Sequence, residues 1–131
     1  MNLNIIEWTE AYLKYKDTIH RRIKNITKKE KTITVENKDG TKQEYLCVND
    51  LDEIKKDQLK NKRISCLNKK KNLDWIIKNW KEIKETNTIF LMANPQKASH
   101  WTLNPKLHNN ISDKTSLKTG LKTLFESIPE V

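Results

Sequence analysis

A chain of 131 residues with 33% charged and 35% hydrophobic content is long enough to bury one ordinary core, and it holds no run of about 18 apolar residues that would cross a membrane. The polar first ten residues lack a secretory leader pattern, so the expectation is a cytoplasmic protein with no membrane partner. The formal charge of +9 suggests nucleic acid as a partner, but 23 of the 26 basic residues are Lys and only Arg21, Arg22 and Arg63 are Arg. Lys, Asn and Ile together are what an AT-rich genome encodes, whereas binding to phosphates and base edges favours the planar arginine fork.

In chain order, residues 5–23 carry Ile5, Trp8, Tyr12, Tyr15 and Ile19 at alternating steps of three and four, which predicts a helix with one apolar face. Glu10, Lys14, Asp17 and Arg21 occupy its other face. Asp39-Gly40, between the β-prone runs 32–37 and 41–48, predicts a hairpin. A two-residue turn there pairs Lys38 with Thr41 and Ile33 with Leu46 and puts Val35 and Val48 on the same face. Thr34 then faces Tyr45, and Thr32 faces Cys47.

Asn49 and Asp50, with Glu53 completing a capping box, predict a short helix bearing Leu51, Ile54 and Leu59. Residues 63–67 read as a third strand. From Asn72 to near Thr86, Leu73, Ile76, Ile77, Trp80 and Ile83 define one face of a second long helix, with Asp74 in its first turn. Residues 88–93 are continuously apolar, as in a strand buried on both faces. His100 to Leu103 form a short strand between the turns at Asn94-Pro95 and Asn104-Pro105. Ser112 or Asp113 caps a last helix bearing Leu117, Leu121, Leu124, Phe125 and Ile128, stopped by Pro129.

These elements predict a single α+β domain over residues 1–131, in the order α-β-β-α-β-α-β-β-α. The sheet is mixed, with four or five strands, and the three main helices lie mostly on one face. Two glycines and three prolines leave few hinges. Cys47 and Cys66 lie in apolar runs without zinc or C-x-x-C spacing and are expected as buried free thiols.

Three groups of residues could carry chemistry. His100 and His108, with Asp113, fall in the loop-rich stretch 93–113 and could act as an acid–base or metal cluster, although their spacing matches no established ligand pattern and no metal is expected. Lys69, Lys70 and Lys71 stand immediately before a helix N-terminus, where three cations oppose the dipole unless an anion joins them. With Lys55, Lys56, Lys60, Lys62 and Arg63 they make a candidate polyanion surface, since residues 51–87 hold eleven basic and six acidic side chains. His20, Arg21, Arg22 and Lys24 suit the C-terminal end of the first helix. Trp8, Trp80 and Trp101 are assigned to the core; Trp75 falls off its stripe and is expected partly exposed.

The order helix, antiparallel strands, helix, strand resembles in outline the core of restriction-endonuclease-like nucleases, which would imply an Asp and a Glu/Gln-x-Lys on neighbouring strands holding magnesium. Glu36-x-Lys38 has that form, but it sits at the hairpin tip without a suitably placed strand Asp. No Gly-rich phosphate loop, nucleophile elbow, H-E-x-x-H or dinucleotide fingerprint is present, so no cofactor is expected. The reading that follows is a non-catalytic binding or assembly module, with self-association as a homodimer. Polyanion binding through residues 55–71 is the first alternative, and a small metal-dependent hydrolase or nuclease using His100 and His108 is the second.

Overall fold

Asn4 caps the first helix, its side chain accepting from the Glu7 amide at 2.8 Å, and α1 then runs Ile5–His20. The helix stops three residues earlier than its apolar spacing suggests. Arg21 turns into the left-handed region at φ 50°, and the Asp17 carboxylate accepts the amides of Arg22 and Ile23 at 2.7 and 3.0 Å. That stop releases a strand absent from the expected order, β1 (Ile23–Lys29). A computed structural model describes residues 4–108 and 114–131.

The strands β2 (Thr32–Asn37), β3 (Lys42–Cys47), β4 (Arg63–Leu67), β5 (Ile89–Asn94) and β6 (Ser99–Leu103) complete a six-stranded mixed sheet in the order β1-β2-β3-β4-β5-β6. The first three form an antiparallel meander, β3, β4 and β5 run parallel, and β6 returns antiparallel. Six strands therefore replace the expected four or five.

The hairpin between β2 and β3 forms, but one residue out of the predicted register. Ile33 faces Tyr45, Thr32 faces Leu46 and Val35 faces Gln43. The loop has three residues rather than two: Asn37 donates to the Thr41 carbonyl at 2.8 Å, and Gly40 closes the turn at φ 90°. Asp39 supports it by accepting from the Thr41 amide at 2.9 Å, an Asx turn that a two-residue loop would not hold. Because side chains alternate across a strand, the slip sends Leu46 to the face opposite Ile33.

That alternation divides the core in two. On one face Ile5, Trp8 and Leu13 of α1 pack on Ile33, Val35, Cys47, Leu91 and Ala93. On the other, α2 (Lys70–Lys78), α3 (Trp80–Ile83) and α5 (Lys114–Glu126) contribute Leu73, Ile76, Ile83, Leu117, Leu121 and Phe125 over Ile64, Cys66, Phe90, Met92, Trp101 and Leu103. Helices thus cover both faces, α1 on one and α2, α3 and α5 on the other, so most lie on one face. Cys47 and Cys66 are free buried thiols on opposite sides of the sheet. Burial pushes the Cys47 thiol up to about 11 and Cys66 higher still.

Other differences are local. The expected helix at residues 51–59 consists of two 3-10 turns, although the Asp50 amide does donate to Glu53 Oε2 at 3.2 Å. The second long helix starts at Lys70, not Asn72, and breaks at Asn79, whose side-chain amide donates to the Trp75 carbonyl at 2.8 Å. A short α4 (Pro105–His108) follows β6. Tyr15 and Ile19, assigned to the apolar face of α1, are 73% and 76% exposed. Trp75 and Trp80 are both half-buried against the core. Among the described residues no helix is long and apolar enough to cross a membrane.

Candidate anion-binding cleft

The C-terminal half of α1 lies across β2, β3 and the start of β4 and leaves between them a cleft of about 420 Å³. Leu13 and Val35 form its buried floor, and Ile23 and Tyr45 add half-buried walls. Lys16 and His20 reach it from α1, Arg22 from the turn into β1, and Arg63 from the first position of β4. Asn37, Thr41 and Gln43 supply neutral polar groups. Lys42 stands at the rim, its position in the ladder opposite Glu36.

The electrostatics are lopsided. Asp17 is the single carboxylate lining the cleft, and one of its oxygens is already taken by two backbone amides. Among the described residues, Lys16, Arg22, Lys42 and Arg63 form no ion pair. Arg63 pairs in register with Tyr45, so both stand on the α1 face of the sheet. Its Nε is buried without a hydrogen-bond partner, a costly state for a charged group. Burial raises the Tyr45 phenol above its ordinary value, with the Arg63 charge pulling the other way. Two of the three arginines in a chain otherwise committed to lysine thus meet in one concave site.

The candidate polyanion residues do not gather in this way. Lys62 pairs with Glu44, Lys69 with Asp50 at 3.2 Å and Lys71 with Asp52 at 2.9 Å. Lys70 and Lys71 lie within the first turn of α2 and Lys69 caps it, while the Lys70 amide donates to Glu130 at 3.3 Å. Lys55 and Lys60 are exposed between β3 and β4, and Lys56 lies in the same connection. Only Arg63 of that set belongs to the cleft.

His100, on the edge strand β6, faces α1 and lies against Trp8 and Tyr12, with ring centroids 5.7 and 4.7 Å apart. Trp8 and Tyr12 are themselves stacked at 5.3 Å. His108 ends α4, and Asp113 and the proposed cap Ser112 lie outside the described residues. Among the described residues no three His, Cys, Asp or Glu side chains are grouped to hold a metal ion, and Glu36 and Lys38 lie at the hairpin end of β2 without a carboxylate partner set.

Desolvation, and after it the Lys16 ammonium, hold the His100 imidazole below its ordinary value of 6.5. A group whose folded value is depressed stabilises the fold above its unfolded value and withdraws that contribution as pH falls through the folded value. Stability should therefore decline as pH drops below 6.5, and His100→Gln should flatten that part of the curve in chemical denaturation. An unchanged pH dependence in the variant would show that His100 does not carry it.

Sequence reasoning named Arg63 for a different surface and assigned Arg22 to the helix dipole. The signal that could have joined them was their chemistry, arginine retained against a lysine background. No protein-family model, curated protein or solved structure matches the chain.

Proposed function

We propose that the protein is a non-catalytic binding module whose ligand is an anion held in the cleft between α1 and strands β2 to β4. Arg63 carries the reading. Its guanidinium sits among other unpaired cations with a buried Nε that no described protein group satisfies, and a bound oxyanion would supply both the charge and the missing acceptor. The volume of about 420 Å³ suits a small ligand, since such sites span roughly 300–1,000 Å³. Catalysis has less support, because the one lining carboxylate is engaged as a backbone cap and His20 has no described hydrogen-bond partner that would orient it for proton transfer.

Thermal unfolding with inorganic phosphate tests this. At about ten times the dissociation constant, binding to the folded state alone stabilises by about 1.4 kcal/mol, which for a domain of this size is a shift of a few degrees. Chloride at equal ionic strength should not reproduce it, and Arg63→Gln should remove it. A shift that persists in Arg63→Gln, or one matched by chloride, would reject the cleft as the site.

A further inference from the structure

Building on the anion-binding reading, we infer that the natural ligand is a small phosphate monoester, its phosphate held by Arg22, Arg63 and Lys16 and its organic body resting on Val35 and the Tyr45 ring. Charge selects the head group. Four cations with no ion pair, Lys42 at the rim among them, face one carboxylate that backbone amides already engage, an excess that a single carboxylate ligand would leave largely uncompensated. A phosphate monoester carries about −1.5 to −2 near neutral pH and offers three acceptor oxygens. Those oxygens match the paired N–H groups of a guanidinium, and here two guanidiniums approach from separate elements.

The floor selects the rest of the molecule. Inorganic phosphate would leave the apolar side of the cleft in water, whereas an ester places a carbon-bearing group where Leu13, Ile23, Val35 and Tyr45 converge. Covering that surface adds affinity in proportion to the apolar area removed from water.

A nucleic-acid strand fits less well. Strand-binding grooves continue as a ladder of phosphate contacts interleaved with stacking rings. Here Lys28 is held by Glu10 at 3.1 Å and Lys62 by Glu44, so these two cations are already engaged. Among the described residues Tyr45 is the only Phe, Tyr or Trp lining the cleft, and Trp8 and Trp101 are buried.

Amide chemical-shift titrations of the full chain with phenyl phosphate, inorganic phosphate, phenol and a ten-residue oligothymidylate decide the matter. Phenyl phosphate should perturb residues of the cleft and bind about tenfold more tightly than inorganic phosphate, while phenol should not bind measurably. Arg63→Gln and the exposed variant Arg22→Gln should each weaken phenyl phosphate about tenfold, so the result does not depend on one variant folding well. Phenyl phosphate binding no more tightly than inorganic phosphate would overturn the ester while leaving the anion site in place. Tightest binding by the oligonucleotide, with a steep loss of affinity in salt, would overturn it in favour of a polymer. If none of the phosphates perturbs the cleft, both the inference and the anion-binding reading fall.

Discussion

Asn68→Ala should cost about 3 kcal/mol of folding stability, measured by urea denaturation monitored by circular dichroism. Asn68 is fully buried at the end of β4. Its carbonyl oxygen accepts from Trp101 Nε1 at 2.8 Å, and its amide donates to the carbonyls of Phe125 at 3.1 Å and Pro129 at 3.3 Å. One side chain therefore ties the edge strand β6 to the end of α5 and the segment beyond it. Asn94 adds a second tie, donating to the Pro129 carbonyl at 3.1 Å. Truncation leaves an indole donor and a carbonyl without partners in a site too closed for bulk water, and an unsatisfied buried group costs more than a made hydrogen bond contributes. A loss below about 1 kcal/mol would mean that water or Asn94 takes over these partners.

Phe90→Ala should be more damaging still, by about 4 kcal/mol. Phe90 is wholly buried on the α2 side of β5 and meets Trp75 edge-on, with centroids 6.3 Å apart. Deleting the ring removes its transfer free energy and opens a cavity that a sheet strand flanked on both sides by neighbours cannot collapse to fill. Near-ultraviolet circular dichroism should lose part of its tryptophan signal in the same variant, because Trp75 loses the ring that orients it. Since whole domains are stable by roughly 5–15 kcal/mol, either substitution removes a large share. An Ala variant destabilised by less than about 1.5 kcal/mol would show that the core rearranges around the deletion.

The parts of this fold that could be read in advance are those where burial imposes a period. Ile64, Ser65 and Cys66 in β4, and Phe90 to Asn94 in β5, are buried on both faces, so their apolar runs had one reading. In α1 the apolar spacing marked the buried face at Ile5 and Trp8, but Leu13, which it did not single out, is buried where Tyr15 and Ile19 are exposed. The edge strand β1 had no such signal, because it buries no residue fully and only Ile23 and Ile26 are half-covered. Its lysines read equally well as a solvated loop, and charged side chains on an edge strand are what discourage further pairing.

The hairpin shows how local chemistry can identify a turn and still miss its length. Asp39-Gly40 fits both a two-residue and a three-residue loop, and the choice rests on whether Asp39 caps the Thr41 amide. The cleft was hidden for another reason: its residues come from three separated segments, 13–23, 35–45 and Arg63. Only the parallel pairing of β3 with β4, which sets Arg63 beside Tyr45, brings them together, and parallel pairing across a long connection leaves no local trace in sequence.

Lys16 occupies two neighbourhoods at once. It lines the cleft, and its ammonium also stands 6.0 Å from the centre of the Tyr12 ring, on which His100 lies. An anion that neutralises Lys16 removes one of the two influences that hold the His100 imidazole low, so the ring gains proton affinity when the cleft fills. Reciprocity between two ligands on one molecule then requires the converse: protonation of His100 tightens the hold on the anion. For an anion of constant charge in the cleft, the aromatic trio on α1 and β6 would make the proton a second ligand, whereas a phosphate monoester, itself taking up a proton at about pH 6, would lose part of that gain.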